Sequence, residues 1–325
     1  MKRLLSQFGP SECLAWFGEH GVKFVTQDDG CVFPQSQDAM QIVRTLENAM
    51  RRAGVKVYCN CKVSAVGPDL HINHNVMHDR MGHPDAIVLT TGGGTAGILK
   101  DTGIEIIPQA PSLFTLKIND LKLRELMGTV VDNVRLGLAG TRFRSEGTLL
   151  LTDWGVSGPA TLKLSSYAAR HLAGSGYQGT LLVNWLDCDE SAARELLCAV
   201  ALGNGAKMIA NCHPAQLSDR LWKHLVARAG IRPDSRWQEL GSKGQAKLIN
   251  VLVSDTYAIS GRARFKEEFV TCGGISLAEI RPDTLESRKI PGLYLAGEVL
   301  DIDAITGGYN LQAAWSTAWT VAQNM

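Results

Sequence analysis

Apolar residues recur every three or four positions from Gln37 to Arg52, with Met40, Val43, Leu46, Ala49 and Met50 on one face. That period predicts an amphipathic helix, ended by Gly54 as its C-terminal cap. The alternating run VKVYC over 55–59 predicts the strand that follows, and a polar hairpin is predicted over 62–76. The apolar run over 86–91 predicts a buried strand that ends on Gly92, Gly93 and Gly94. Open α/β sheets hold their ligands at that carboxyl end. From 112 to 185 the pattern changes to short apolar runs broken by glycine turns: LFTLKI, VRLGLAG, TLLLTDW and TLLVNWL. These predict a small β section with one amphipathic helix over 160–172. Residues 189–257 read as mostly helical, from Leu217, Leu221 and Leu225 and again from Leu248 and Leu252. FVTCGGISLAEI returns to strand, and Leu293 to Ala322 reads as a strand, an acidic loop and a helix opened by Gly307 and Gly308. The nesting is therefore a helical section within a β section, itself within an α/β section.

Composition narrows the function. A chain of 325 residues with 45% hydrophobic content has room for two or three domains and a sizeable core. Thirty-three basic against 32 acidic side chains leave a charge of +1, which supplies no electrostatic footprint for nucleic acid or an anionic membrane. The first residues turn polar too soon for a secretory signal, and no apolar run reaches 18 residues. The eight cysteines have no framework spacing, so free thiols in the cytoplasm are expected. Cys59 and Cys61 form the single close pair, without the second pair that a metal site needs. His71, His74, His78 and His83 cluster, but a solvated hairpin explains them better than zinc does, and no metal is expected.

Two stretches match G-x-G-x-x-G. GSGYQG (174–179) lies after a helix and before a strand, the reverse of what a pyrophosphate on a helix N-terminus requires. GGGTAG (92–97) follows a strand, but only Gly92 to Gly103 separates the two flanking strands, which is short for a parallel crossover. A ligand-facing glycine turn of another kind is the better reading. Asp153, Ser157 and His171 form no nucleophile elbow, since LTDWGVSGPA lacks G-x-S-x-G.

Four long stretches, 6–39, 87–93, 149–165 and 270–316, carry a resemblance in the family's order. The chain resembles the bacterial FAD-dependent flavoproteins described as aminoacetone oxidase-like or NAD(P)/FAD-dependent oxidoreductases. The resemblance implies an incomplete glutathione-reductase-like FAD domain of class α/β, over 1–111 and 275–325. An inserted β-barrel-like section, 112–186 and 258–274, would carry a helical section over 187–257. It implies FAD as cofactor, with Thr91, Gly92 and Gly93 near the nucleotide. Gly297, Glu298 and Asp301 would line the ribityl and pyrophosphate path, and Gly307, Gly308, Tyr309, Asn310, Leu311 and Gln312 would lie beneath the isoalloxazine. A helix opening near Asn310 presents unpaired N–H groups and about half a positive charge, which suits the anion that develops at flavin N1–C2=O on reduction.

The implied function is a flavin-dependent oxidoreductase acting on a small organic substrate held between the flavin face and the inserted sections. The turn TDWGVSGPA (152–160) would approach that substrate. No catalytic acid or base is assigned, and the use of NAD(P)H is left open. The alternative is a non-catalytic remnant or interaction protein that binds no flavin. Two departures from the family stand out. Its members begin with a strand-GxGxxG-helix unit for the ADP half of FAD, and none precedes Ser6. The chain thus reads as N-terminally truncated, or as one that a second chain completes. The loss is expected to leave IVLTT and LYLAG without a strand between them. In addition, Ala304 stands where the family commonly has glycine.

Overall fold

Helix α3 (Ala39–Arg52) starts where the Asp38 carboxylate accepts a hydrogen bond from the Met40 N–H at 2.9 Å, and it stops before Gly54 in the left-handed region at φ +74°. It follows α1 (Lys2–Gln7), α2 (Pro10–Glu19) and an antiparallel hairpin of β1 (Phe24–Thr26) and β2 (Val32–Pro34). The expected strand over 55–59 does not form. Residues 51–60 are all exposed, and the apolar VKVY run has no ladder partner among the described residues. The polar hairpin is present as β3 (Val63–Val66) and β4 (Ile72–His74). His78 and His83 fall outside the described residues, which are 1–28, 30–75, 84–94, 97–263 and 270–325 of this computed structural model.

The chain forms two compact units, one of residues 1–109 with 270–325 and one of residues 110–269. In the first, β5 (Ile87–Leu89) pairs in parallel with β14 (Leu293–Leu295), in the register Ile87 to Leu293 and Leu89 to Leu295. The two segments are direct neighbours, with no strand between them among the described residues. The described residues of 97–103 form turns rather than an α-helix, so the glycines after β5 open no dinucleotide crossover. β6 (Ile106–Ser112) neighbours β13 (Val270–Ile275). The closing helix α10 (Tyr309–Ala322) packs against the N-terminal helices. Trp319 stacks on Phe8 at 4.8 Å between ring centroids, Trp315 meets Phe17 edge-on, and the Ser316 hydroxyl donates to the Phe8 carbonyl at 2.6 Å.

The second unit is built on a closed barrel. Its strands are β7 (Leu116–Ile118), β8 (Val130–Leu138), β9 (Arg144–Leu151), β10 (Gly155–Ser157), β11 (Gly179–Asn184) and β12 (Asp255–Arg262), in spatial order β10-β7-β12-β11-β8-β9. Closure leaves no barrel edge for another chain to pair with. It brings backbones close: a Cβ on Gly155 would lie 2.4 Å from the Leu116 carbonyl oxygen. Glycine in the 152–160 turn is thus required by strand packing. The predicted helix over 160–172 divides at Ala168 into α5 (Pro159–Tyr167) and α6 (Ala169–Gly174). GSGYQG indeed runs from α6 into β11.

The helical section comprises α7 (Glu190–Ala201), α8 (Asp219–Arg228) and α9 (Ser242–Ser254), and β12 begins directly after it at Asp255. Its Leu197, Leu221, Trp222, Leu225, Leu248 and Leu252 join barrel residues such as Leu136, Leu149 and Leu181 in a single apolar core. Arg228 ties the unit together through Asp255 at 2.6 Å and Asp120 at 3.1 Å, and the Trp185 indole N–H also donates to Asp255.

Candidate functional site

The parallel pair β5–β14 sets the site, because both strands deliver glycine turns at the same end. The Ala296 N–H donates to the Leu89 carbonyl at 3.2 Å, so the two chains leave the sheet side by side. After β5 the backbone turns at Gly92 (φ +69°) and Gly94 (φ +88°). A Cβ on Gly92 would meet only open space. Gly93 is different: a Cβ there would fall 2.1 Å from the Thr271 hydroxyl on β13. The Gly94 N–H donates to Gln109 Oε1 at 3.2 Å, whereas Gln109 Nε2 is buried with no hydrogen-bond partner among the described residues. A buried donor without an acceptor costs about 1–3 kcal/mol, so this amide is poised to receive one.

After β14 the chain turns at Gly297 (φ +75°) into a short 3₁₀ turn, Gly297–Val299. The Gly297 N–H donates to Thr317 Oγ1 of α10 at 2.9 Å, and the Glu298 carboxylate accepts from the Thr271 N–H at 2.6 Å. Thr271 therefore touches both glycine turns. The Asp301 N–H donates to the Ile275 carbonyl at 2.8 Å, which holds the acidic loop against β13. Here Gly273 and Gly274 are needed: their Cβ atoms would lie 2.3 Å from the Pro108 and 2.6 Å from the Val299 carbonyl oxygens.

The opening of α10 is the most exposed part of the site. Gly308 caps the helix in the left-handed region (φ +83°), and a Cβ there would meet nothing within 4 Å. The Asn310 side chain clamps the loop, accepting from the Ala304 N–H and donating to the Ala304 carbonyl, both at 2.9 Å. This lets Ala304 serve through its backbone. Gln312 Nε2 donates to the Phe8 carbonyl at 3.2 Å, which fixes the first turn on the helix beneath. Tyr309 and Leu311 are exposed. As first-turn groups of an α-helix, the N–H groups of Tyr309, Asn310 and Leu311 have no intrahelical acceptor, and none is found elsewhere among the described residues. A glycine cap, three free N–H groups and the positive end of a 14-residue helix make a surface for an electron-rich, partly anionic edge.

The structure thus groups the expected residues into two connected turns, Thr91 to Gly93 and Gly297 to Asp301, and one helix opening, Gly307 to Gln312. Gly297 joins the second turn to the helix through Thr317. Thr271, Gln109 and Thr317 were not foreseen. The glycine pair in VTCGGIS was the one available signal that β13 passes close to something.

A parallel strand pair with ligand-facing turns at its carboxyl end, beside a glycine-opened helix, defines a Rossmann-like α/β cofactor domain. The comparisons agree: residues 1–324 match the family described as HI0933-like protein Rossmann domain, and the chain belongs to that family of FAD-dependent oxidoreductases. It is 29% identical to a 3-dehydro-bile acid delta(4,6)-reductase of Clostridium scindens, over 98% of this chain and 80% of that protein. It is also 29% identical to a ribosomal RNA dihydrouridine synthase of Escherichia coli, over 100% of this chain and 81% of the relative. The corresponding synthase of Haemophilus influenzae is 26% identical over 99% and 81%. No helix among the described residues is long and apolar enough to cross a membrane.

Proposed function

We propose that this chain holds the flavin ring of a glutathione-reductase-like FAD site. The carrying observation is the opening of α10: Gly308 in the left-handed region against open space, with three N–H groups that have no acceptor among the described residues. The orphaned Gln109 amide adds a donor near the first glycine turn. These groups fit the carbonyl-rich pyrimidine edge of an isoalloxazine. Flavin, when bound, supplies hydride transfer. The residues of this chain bind and orient. The α10 N-terminus favours the reduced ring's negative charge, worth about 0.3–1 kcal/mol at an exposed helix end. The Asn310 clamp keeps the loop at Ala304 in one conformation.

The reading includes a substrate class. The names of two relatives describe saturating a carbon–carbon bond conjugated to a carbonyl, in a 3-oxo bile acid and in a uridine ring. A small conjugated enone is the common denominator, and the net charge of +1 favours it over a polyphosphate substrate. With flavin in excess and chemically reduced, such an enone is expected to reoxidise it faster with the chain than without. Turnover on ribosomal RNA and on no enone would overturn the substrate class.

Flavin fluorescence tests the site. The chain is expected to bind FMN, which shares with FAD the ring end that the α10 opening faces. Gly308→Val is expected to abolish binding. A left-handed cap strains valine by about 1–2 kcal/mol, so Gly308→Asn, which tolerates that conformation, serves as the folded control and should also lose binding. Binding that both variants retain, or no flavin binding by the parent, sinks the proposal.

A further inference from the structure

Strand β6 reads IIPQAPS, and its one long polar side chain, Gln109, stands on a tightly held backbone. Pro108 and Pro111 fix their own φ and keep Ile107 and Ala110 extended. Strand β13 closes in from one side: a Cβ on Gly273 would lie 3.0 Å from Gln109 Cα and 2.3 Å from the Pro108 carbonyl oxygen. From that fixed base the side chain reaches the first glycine turn, where Oε1 accepts from the Gly94 N–H at 3.2 Å.

This hydrogen bond also decides which end of the amide is which. A flipped amide would set two donors against each other, so Oε1 stays with Gly94 and Nε2 is turned away from it. Nε2 is buried, and it finds no acceptor among the described residues. A buried donor in that condition costs free energy, which an acceptor atom brought by a ligand restores. The turn beside it leaves room, since Cβ atoms on Gly92 and Gly94 would meet nothing within 4 Å.

We infer that Gln109 is a selectivity residue of the flavin site: its Nε2 donates to a carbonyl oxygen of the bound ring, and the same amide ties ring occupancy to the Gly94 turn. This rests on the flavin reading and adds to it a residue that chooses among ring chemistries. A carbonyl suits a fixed donor because it accepts without donating, whereas a hydroxyl does either and would accommodate an acceptor in the same place. The two ends of one amide are polarised together, so an acceptor at Nε2 strengthens the bond that Oε1 receives. Binding at the ring and order at Gly94 are then linked, and each favours the other by the same factor.

Two substitutions separate these roles. Gln109→Glu keeps an acceptor for the Gly94 N–H but replaces the donor with a second acceptor. Gln109→Met fills similar space with neither group. Fluorescence follows the binding of FMN and of riboflavin, and hydrogen exchange follows the Gly94 amide. Both variants are expected to bind FMN about tenfold more weakly than the parent, and riboflavin by the same factor, since the ring is common to the two. FMN should slow exchange at Gly94 in the parent. In Gln109→Glu that amide should be as protected as in the ligand-free parent, yet gain nothing from FMN.

Binding by Gln109→Glu should recover as the pH falls toward about 5, because burial raises a glutamate above its ordinary value of about 4.3 and the neutral carboxyl regains a donor. Gln109→Met should show no such recovery. A third arm needs no variant: flavin analogues with sulfur in place of one or the other pyrimidine carbonyl oxygen. Sulfur is a weak acceptor, so one of the two analogues should bind the parent poorly and be indifferent to Gln109→Met. The inference is overturned if the variants bind as the parent does, or if the loss is confined to FMN, which would make the phosphate the partner. It is overturned equally if both analogues bind the parent as FMN does, or if FMN leaves exchange at Gly94 unchanged. A parent that binds neither FMN nor riboflavin sinks the flavin reading itself, and this inference with it.

Discussion

Gly93 and Gly308 show that neighbouring uses of one residue type have different causes. Gly308 faces open space and is glycine because of its backbone conformation, whereas Gly93 is glycine because Thr271 occupies the place of its side chain. Thr271 Cβ would itself lie 2.7 Å from a Gly93 Cβ, so a hydroxyl rotation cannot relieve the clash. Gly93→Ala is therefore expected to destabilise the protein without any ligand present, by on the order of 3 kcal/mol, at the upper end for overpacking. Gly97→Ala, with nothing near its Cβ and no positive φ, should change the denaturation midpoint by no more than about 0.5 kcal/mol equivalent. Equal effects at the two positions would show that the contact with β13 does not shape the turn. The glycine run was legible in the sequence. Which of its members is held by β13 was not, because Thr271 lies far along the chain and threonine gives no sign of its contacts.

Elements were legible where their determinants are local. Asp38 and Gly54 bracket α3, and short apolar runs broken by glycine turns announced β7, β8, β9 and β11. The failures concern pairing. VKVYC satisfies every local rule for a strand, but a strand exists only beside another, and that partner is not encoded within its five residues. That β5 and β14 have no strand between them was expected only through the resemblance, since strand order is a property of the whole sheet. Helix α8 carries a test at this scale. His224 sits under the barrel with Nε2 at 3.3 Å from the Tyr257 hydroxyl. Burial first, and the Arg228 guanidinium second, hold its pKa below the ordinary 6.5; Asp120 and Asp255 pull the other way, and Lys122 adds to Arg228. Folded His224 thus resists protonation that the unfolded chain accepts. Its stabilisation is complete above about pH 6.5 and is lost as the pH falls from there through the depressed folded pKa. His224→Gln keeps a hydrogen-bonding group but cannot titrate. Urea midpoints of this variant are expected to fall less than those of the parent between pH 7 and 5. Parallel curves would show that His224 titrates alike in the folded and the unfolded chain.

At the scale of the whole molecule, the two units differ in how completely they close. The second has a barrel without edges and one continuous core in which Trp185 and Trp222 are fully buried. Among its described residues the first has four two-stranded sheets, two smaller apolar clusters and an amphipathic helix with no buried residue. That the chain leaves this unit and later returns to it is reflected in the sequence, where the hydrophobic period changes near 112 and again after 270. Cooperative unfolding follows closed cores, so one transition is not expected. Urea should melt the first unit before the second. Tryptophans report on each: Trp16, Trp315 and Trp319 lie in the first, Trp154, Trp185, Trp222 and Trp237 in the second. A variant with Phe at 16, 315 and 319 should show only the later transition by fluorescence, while circular dichroism still shows both. FMN that binds the folded first unit raises that unit's midpoint by mass action, by about 2.7 kcal/mol at a hundredfold excess over its Kd. The second midpoint should stay where it was. A single transition that shifts as a whole would mean that the barrel, closed as it is, does not hold its structure independently of the unit from which it springs.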